Sequence, residues 1–469
     1  MIRNVAAHVA DARPGIPAAL ILGLATAALA GMAAFLLAGG SKTGTVLAIA
    51  LAASPLLIYL SIQRPLIFPF GLYAVLVPFN HLIFLHGFGT LTKLAGILAS
   101  AGLLFHIVRN KRIVSPPRVL LAWFVFVVLA CASLLWAVDT TQSITLIVLL
   151  LQLFALFAVT ALVPVSREEL LVVLALIALG GIAAAGYGGK LFLTGTQTVG
   201  NRLFIESAVE GEYLDPNHFS AALLLPLALT LVYTVYAPWI TRKAVGFAGL
   251  AVLMVGIYAS GSRGGLVAAA AILLAVLVRT RRWLQLIGVT LAGLVLSLAV
   301  KSAVWSRFSA DAMSGSGRSS IWYIGAHAFM QRPVLGWGIG NFADAYDRWL
   351  LQLYSPILMQ WDRAAHNFII MVAVELGVVG LAVLVWVMIE QARALRHIEP
   401  GSDLYRVRIA LESALLGLLV MSFFLDTLYW KYAWLTFTAV ALARSAALPS
   451  RQQAEAPQPR MVPAAAARR

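Results

Sequence analysis

Long stretches of apolar residues recur from residue 16 to residue 445, separated by short polar segments. Each stretch is close to the roughly 20 residues that an α-helix needs to cross the hydrocarbon core of a bilayer. The pattern predicts about fourteen membrane-spanning helices, with about twelve as the alternative because two stretches are short or polar. The candidate spans lie at 16–38, 43–62, 65–85, 90–108, 119–138, 142–163, 168–189, 217–236, 244–260, 264–278, 283–300, 366–390, 409–425 and 429–444.

The composition supports the same conclusion. Hydrophobic residues make up 61% of the 469-residue chain and charged residues only 11%, whereas soluble domains are about half apolar and about a quarter charged. A soluble globular domain, a disordered chain, a collagen-like repeat and a coiled coil are therefore excluded. The predicted fold is all-α, a polytopic transmembrane helical bundle. The single cysteine, Cys131, lies in an apolar run and is expected to be a small core residue.

The distribution of charge predicts the orientation. The chain has 34 basic and 19 acidic residues and a net charge of +15. If the N-terminus lies in the cytoplasm and the spans alternate, most basic residues fall in cytoplasmic segments, which is the bias that sets membrane orientation. Both termini are therefore predicted to be cytoplasmic, and the positive charge implies no nucleic-acid partner. The first apolar run is too long for a signal peptide and is expected to be a retained span.

Two segments on the predicted outer side are too long to be turns, at 190–216 and 301–365. In the second, apolar residues repeat at helical spacing, which predicts two amphipathic helices lying across the outer mouth of the bundle. The tail is rich in proline, alanine and glutamine and is expected to be disordered. The chain then divides into an N-terminal transmembrane bundle (1–189), a first outer loop with central spans (190–300), a large outer loop (301–365), C-terminal spans (366–448) and a cytoplasmic tail (449–469).

One arginine stands at a predicted helix start on the outer side. Arg263 follows Ser260, Gly261 and Ser262 and precedes two glycines, so one helix ends and another begins there. Backbone N–H groups at a helix N-terminus, with a guanidinium fork beside them, bind phosphate. Gly264 is expected to leave that terminus open to a ligand. The alternative is an arginine that anchors the helix among lipid headgroups.

A histidine opens a later span on the same predicted side. His366 comes directly after the large outer loop. A neutral imidazole near pH 7 can accept a proton from a hydroxyl, but a histidine at a membrane surface is also commonly structural. Asn367 is expected to orient the imidazole or to cap the helix. Glu375, further along the same apolar helix, is expected to be a buried structural or relay carboxylate.

Further candidates lie in the two outer loops. Arg202 precedes the sequence DPN, in which Asp215 and Asn217 are expected to form a turn and a helix cap. Arg318 is a candidate phosphate ligand or a headgroup anchor. The acids of the first loop lack the tight spacing of a divalent-cation motif, so no metal site is predicted. The glycines of LGWGIGNF lack the preceding strand of a dinucleotide fold and are expected to make a tight turn.

Four of these segments, in this order, resemble the O-antigen ligase/polymerase superfamily of bacterial membrane glycosyltransferases. They are DPNHFSAALLLPL, SGSRGGL, GRSSIWYIGAHAFMQRPVLGWGIGNF and AHNFIIMVAVELGVVGL, and they lie between about residues 200 and 390. The single long outer loop resembles a ligase more than a polymerase. The resemblance implies metal-independent, inverting transfer of a glycan from undecaprenyl diphosphate to a sugar hydroxyl of lipid A-core, on the periplasmic side of the bacterial inner membrane.

The resemblance also implies roles for individual residues. Arg202 and Arg263 would neutralise the departing diphosphate, and His366 would take the proton of the acceptor hydroxyl. No cofactor is implied, and the implied partners are the carrier-linked glycan donor, the lipid A-core acceptor and membrane lipids. The positions expected to bind substrate are Asp215, Asn217, Gly264, Arg318 and Asn367.

Two other functions stay open at this point. A polymerase of the same superfamily would transfer the glycan to a second carrier-linked chain. A transporter or flippase for a polyanionic lipid-linked glycan would also need arginines, but at several depths along a path across the membrane. The candidates in this sequence collect on one predicted side, which favours an enzyme with a one-sided site.

Overall fold

The computed structural model describes residues 42–80, 84–85, 89–199, 202–206, 213–282, 318–353 and 363–449. The predicted spans at 16–38 and 283–300 and the predicted disordered tail beyond Pro449 lie outside these residues. Fifteen α-helices are described: α1 (Lys42–Gln63), α2 (Phe70–Leu76), α3 (Leu91–Asn110), α4 (Arg118–Ala132), α5 (Thr140–Leu162), α6 (Arg167–Leu193), α7 (Pro216–Ala222), α8 (Leu224–Tyr236), α9 (Ile240–Ala259), α10 (Arg263–Thr280), α11 (Arg318–Gln331), α12 (Phe342–Leu353), α13 (Phe368–Ala394), α14 (Tyr405–Ser422) and α15 (Lys431–Ala447).

The all-α membrane bundle predicted from the sequence is confirmed. Within the described ranges, eight helical segments are long and apolar enough to cross a membrane: α3, α4, α5, α6, the pair α7–α8, α9, α10 and α13. The strands of the described residues form three antiparallel pairs, and each strand has two residues. They pair β1 (Phe84–Leu85) with β2 (Gly89–Thr90), β3 (Thr198–Val199) with β4 (Arg202–Leu203), and β5 (Ile205–Glu206) with β6 (Tyr213–Leu214).

Side-chain caps fix where several of these helices begin. The side chain of Asp139 accepts hydrogen bonds from two backbone N–H groups at the start of α5. Ser166 and Glu169 form a reciprocal capping box at the start of α6. Ser262 caps α10 and Asn367 caps α13. Each cap satisfies N–H groups that have no partner within the helix.

The predicted span at 65–85 is not one continuous helix. Its helical part is α2 followed by a single 3₁₀ turn, Val77–Phe79, and the prolines at 65, 69 and 78 prevent a longer helix because proline has no backbone N–H. The chain still passes from one end of the bundle to the other. Arg64 pairs with Glu169 at the start of α6, whereas Asn80 meets Lys431 at the start of α15.

The segment α7–α8 forms the centre of the bundle. It is 83% buried, far more than any other candidate span. Helices α6, α9, α10 and α14 surround it. Outward faces of the surrounding helices expose large apolar side chains, as expected where lipid replaces water. Examples are Leu98 and Phe105 on α3, Phe124 on α4, Leu179 on α6, Phe247 on α9 and Leu274 on α10.

The ion pairs found among the described residues lie at one end of the bundle. This end, called the basic end below, carries the ion pairs Arg64–Glu169, Arg167–Asp403 and Arg408–Glu412, together with Arg279 on Glu412. These arginines belong to segments predicted to be cytoplasmic. Helix α10 runs from Arg263 to this end, so Arg263 lies at the opposite end, called the site end below.

The large outer loop contains the two predicted helices, α11 and α12. In α11, Ile321, Ile324 and Ala328 are buried, and in α12, Tyr346 and Leu350 are buried. The two helices pack on each other and on α13. Residues 333–340, which connect the two helices, insert against a break in α13.

The break in α13 is at Gly377, which has φ 65° and ψ −163°. Backbone N–H groups of Trp337 and Gly338 donate to the carbonyls of Val374 and Glu375, and Val378 donates to Pro333. The inserted loop thus satisfies backbone groups that the interrupted helix leaves without partners, as membrane helices require. The predicted tight turn is confirmed, since glycines 336, 338 and 340 all have positive φ.

Candidate functional site

Four side chains singled out in the sequence come together at the site end. The guanidinium of Arg318, the first residue of α11, lies within electrostatic range of Arg263, Asp215 and Asp426. The imidazole of His366 lies within range of Arg318 and Asp215. Segments that are far apart in the chain therefore contribute to one half-buried cluster of charged groups.

The start of α10 has the local structure that the sequence predicts. Helix α9 ends at Ala259, Gly261 has φ +61°, and Ser262 caps the next helix by accepting from the N–H of Gly265 at 3.1 Å. Arg263 is therefore the first helical residue. Its half-buried side chain lies at the positive end of the helix dipole, a position that favours anions.

The glycines after Arg263 serve packing. A Cβ atom on Gly264 would lie 3.0 Å from the side chain of Phe424, and one on Gly265 would lie 2.5 Å from the hydroxyl of Ser220. The expectation that Gly264 opens the helix start to a ligand is therefore not met, because Phe424 occupies that face. Glycine is required here so that α10 can approach α7 and the segment after α14.

Arg202 is fixed beside the same helix start. Its Nε donates to the carbonyl of Ser260 at 3.1 Å, and its NH2 group donates to Oδ1 of Asn217 at 3.4 Å. Its guanidinium also lies 5.7 Å from the ring centre of Phe204. Gly261 lets the arginine pass, since a Cβ there would be 2.9 Å from its side chain.

Asp215 and Asn217 form the predicted turn and cap. The carboxylate of Asp215 accepts from the backbone N–H of Asn217 at 2.7 Å and from its side-chain amide at 2.9 Å. Proline at 216 occupies the first helical position of α7, where a missing N–H costs nothing. The Asn217 side chain thereby links Asp215 to Arg202.

His366 is held through its backbone. It has φ 48°, an uncommon conformation for a residue with a side chain. Its N–H donates to Oδ2 of Asp426 at 3.0 Å, and the N–H of Asn367 donates to Oδ1 of the same carboxylate at 3.1 Å. On the other side, the indole N–H of Trp322 donates to the carbonyl of Ala365 at 3.0 Å. These contacts fix the direction in which the imidazole leaves the chain.

Asn367 caps α13 and has no contact with the imidazole among its hydrogen bonds in the structure. Its side-chain oxygen accepts from the N–H groups of Ile369 and Ile370, and its amide donates to the carbonyl of Phe423. Of the two predicted roles, capping is confirmed. Glu375 is buried, as expected, and accepts hydrogen bonds from Tyr429 and from the N–H groups of Gly340 and Phe342.

The electrostatics keep the imidazole neutral at pH 7. Loss of solvation, followed by the positive charges of Arg318 and Arg363, lowers the pKa of His366 despite the opposing effect of Asp215. Loss of solvation raises the pKa of Asp426 to about 6, although the two N–H groups and Arg318 oppose this. Desolvation and the neighbouring Arg263 lower the pKa of Arg318.

The arrangement suits an anionic ligand beside a proton acceptor. Arg263 lies close enough to Arg318 to disfavour the charge of Arg318, and an anion between the two would relieve that repulsion. A guanidinium fork matches the geometry of phosphate oxygens. Across the described part of the chain, no group of three or more His, Cys, Asp or Glu side chains converges as a metal site would. Glu210 and Glu212 lie outside it.

A known family matches the middle of the chain. The family described as O-antigen ligase matches residues 248–385. This segment of the chain is similar to the O-antigen ligase/polymerase superfamily. Among curated proteins, none matches the chain. The O-antigen ligase segment contains Arg263, Arg318, His366 and Asn367, whereas Arg202 lies before it.

Asp426 is the site residue that the sequence analysis missed. It lies in FFLDTLYW, between α14 and α15, outside the O-antigen ligase segment. The sequence does show a single acidic residue between two apolar runs. Such a residue needs hydrogen-bond donors, which could have marked it as a site candidate. Nothing in its local sequence indicates that the donors are the N–H groups of His366 and Asn367.

A second polar group beside the cluster was also missed. The ring of His218 stacks on Trp430 at 3.5 Å, and its Nδ1 is 3.0 Å from the hydroxyl of Tyr432. The Lys431 ammonium donates to the side-chain oxygens of Asn80 and Thr90. These contacts tie the start of α15 to α7 and to the β1–β2 region, and so support the segment that carries Asp426.

Proposed function

We propose that the protein is an inverting, metal-independent glycosyltransferase of the O-antigen ligase type. Its donor is a glycan linked to undecaprenyl diphosphate, and its acceptor is a sugar hydroxyl of lipid A-core. The family match supports the O-antigen class of activity. The observation that carries the choice of chemistry is the pair Arg263 and Arg318 beside a neutral imidazole, His366.

The arginines are proposed to hold the diphosphate of the donor. As the bond between the anomeric carbon and the diphosphate oxygen breaks, negative charge grows on the leaving group. Arg263 and Arg318, with Arg202 beside them, stabilise that charge from fixed positions. Fixed guanidinium groups supply here the charge neutralisation that other glycosyltransferases obtain from a divalent cation.

His366 is proposed to be the general base. Its imidazole takes the proton of the acceptor hydroxyl as the oxygen attacks the anomeric carbon from the face opposite the diphosphate. The new glycosidic bond forms as the bond to the leaving group breaks, so the configuration at that carbon inverts. The products are the extended lipid A-core, undecaprenyl diphosphate and one proton.

Asp426 is proposed to be a positioning residue. Its carboxylate binds the backbone N–H groups on both sides of the bond between His366 and Asn367. It thereby holds His366 at positive φ without touching the imidazole, and maintains the distance between base and acceptor on which the rate depends.

The site end is proposed to face the periplasm of the inner membrane. The basic end would then face the cytoplasm, in agreement with the bias of lysine and arginine toward cytoplasmic segments. This orientation presents the site to the lipid-linked substrates after they have crossed the membrane.

The test is transfer of a labelled, carrier-linked glycan by the purified protein. Wild-type protein should extend lipid A-core in the presence of EDTA. His366→Ala should lower the turnover number by about 10²–10⁴-fold, since a general base contributes that much. The matched control is His327→Ala, because His327 is a half-buried histidine of α11 whose ring contacts Tyr323 and lies outside the cluster.

Three outcomes would overturn parts of the proposal. Longer carrier-linked chains instead of extended lipid A-core would identify a polymerase. Activity lost in EDTA and restored by magnesium would exclude the metal-free scheme. Normal turnover of a well-folded His366→Ala protein would exclude this histidine as the base.

A further inference from the structure

Two arginines of the large outer loop converge on one buried tryptophan. The guanidinium carbon of Arg332 lies 4.4 Å from the ring centre of Trp337, and that of Arg348 lies 5.5 Å from it. The two cations are therefore at most about 10 Å apart. Both side chains are exposed, so they can reach a ligand outside the protein.

The tryptophan holds the pair in a defined position. Trp337 is 3% exposed, and its indole N–H donates to the carbonyl of Ala328 at 2.8 Å. Its backbone N–H donates to the carbonyl of Val374 at the break in α13. Cations packed on a fixed aromatic ring lose less freedom on binding than free arginines do.

Neither cation forms an ion pair within the described part of the chain. The ion pairs found there involve other arginines, at 64, 167, 279, 393 and 408. Arginine is mostly found with an anionic partner, and its fork fits phosphate. The pair is therefore complementary to a phosphate ligand.

Exposed apolar side chains lie on both sides of Arg332 in the chain. Met330 is 59% exposed, Val334 57% and Leu335 43%. They continue into the exposed Leu135 and Val138 of the α4–α5 connection, where the indole N–H of Trp136 donates to the carbonyl of Leu335 at 3.1 Å. Apolar side chains with arginine and tryptophan beside them are typical of the interface between acyl chains and headgroups.

We propose that Arg332 and Arg348, mounted on Trp337, form a docking site for the phosphate of an anionic lipid in the adjacent membrane leaflet. The apolar residues enter the acyl region, and the guanidinium groups bind the phosphate above it. This site is separate from the Arg263 cluster and does not depend on the proposed glycosyl transfer. Under that proposed function it would favour a phosphorylated lipid as the acceptor.

The experiment measures lipid binding by the full-length protein in neutral detergent, without donor. Dioleoyl phosphatidic acid and dioleoyl phosphatidylcholine are titrated separately, and bound lipid is counted by native mass spectrometry. Arg332→Gln/Arg348→Gln should bind phosphatidic acid about 30-fold more weakly, because each arginine near a membrane surface contributes about fivefold in affinity to an anionic lipid. Raised salt should weaken wild-type binding in the same direction.

Two variants serve as controls. Arg109→Gln/Arg112→Gln removes two exposed arginines near the opposite end of the bundle and should leave phosphatidic acid binding unchanged. Arg332→Lys/Arg348→Lys keeps both charges and should retain most of the affinity, which separates loss of charge from loss of fold. Equal thermal unfolding midpoints of all proteins would exclude misfolding.

Several results would overturn the inference. One is equal affinity of wild-type protein for the two lipids, which would mean that only apolar contacts matter. Another is equal loss in the Arg109/Arg112 control. A third is binding of a soluble phosphorylated oligosaccharide as tightly as phosphatidic acid, which would make the surface a glycan site instead of a lipid site.

Discussion

At the scale of single residues, the proposed base and the proposed phosphate ligands are fixed by different means. His366 is positioned through backbone hydrogen bonds to Asp426, whereas Arg202 is positioned through its own guanidinium. Arg263 takes its place from the helix that begins at it. Substitutions at these positions should therefore affect different kinetic parameters.

Arg263→Lys keeps the charge but removes the fork of donors. We expect transfer to fall by about 100-fold, since loss of one well-placed donor to a developing anion costs about that much. Arg282→Lys, just beyond the other end of α10, should have normal activity. The initial rate with saturating donor measures the effect, and wild-type turnover in Arg263→Lys would rule out bidentate binding by this residue.

Asp426→Asn should lower turnover by about 100-fold with little change in the apparent affinity for donor, because the carboxylate positions the base and does not touch the diphosphate. Asparagine offers one oxygen where two N–H groups need acceptors. A purely structural role would instead lower the amount of folded protein, so the variant's thermal unfolding midpoint is the control.

The pH profile should report the same pair of residues. The pKa of Asp426 is raised to about 6 and the pKa of His366 is lowered from its usual value. Both groups are therefore deprotonated at pH 7. Asp426 takes up its proton as the pH falls through about 6, and His366 takes up its proton below its usual pKa. We expect transfer to be constant above about pH 7 and to decline below about pH 6. In Asp426→Asn the decline should follow His366 alone; a rate independent of pH down to about pH 5 would contradict both assignments.

At the scale of elements, helix starts were predictable and the broken helix was not. DPN, SGSRGG and HN contain capping residues whose effect is local, so the starts of α7, α10 and α13 follow from a few neighbouring residues. The sequence ELGVVG predicts a continuous membrane helix. Its break at Gly377 depends on the loop at 333–338, which is distant in the chain.

Gly377→Ala tests that insertion. A Cβ at this position would lie 2.2 Å from the carbonyl oxygen of Val334, and the backbone conformation there is one that only glycine adopts easily, at a cost of about 1–3 kcal/mol for other residues. The thermal unfolding midpoint in detergent should fall. Gly186→Ala, on an exposed helical face with ordinary contacts, should leave it unchanged or raise it. Equal midpoints for the two variants would mean that the loop does not dock at Gly377.

At the scale of the whole molecule, charge and periodicity predicted the helical bundle more fully than they predicted the site. The alternation of basic segments assigned Arg64, Arg167 and Arg279 to one side, and the structure brings them to one end. Apolar periodicity identifies which segments meet lipid, but it does not indicate which helices are neighbours. The pairing of Asp426 with His366 and the central place of α7–α8 depend on that packing, so they required the structure.

Orientation can be tested with single cysteines in a Cys131→Ala background. Ser319 in α11 is exposed at the site end, and Ser402 is exposed near the basic end. A membrane-impermeant maleimide added to spheroplasts should label Ser319→Cys and leave Ser402→Cys unlabelled until the cells are lysed. Labelling in the reverse order would invert the proposed topology.

The backbone attachment of His366 has a consequence for repair of a damaged enzyme. Asp426 and Trp322 form hydrogen bonds with the backbone N–H of His366 and the carbonyl of Ala365. Truncation of the His366 side chain therefore leaves the backbone in place and creates a cavity with the shape of the imidazole. Free imidazole added to His366→Ala should enter this cavity and restore part of the lost transfer activity, because the residues around the cavity keep their positions. The same additive should give no recovery in Asp426→Asn, in which the native imidazole is still present but misdirected.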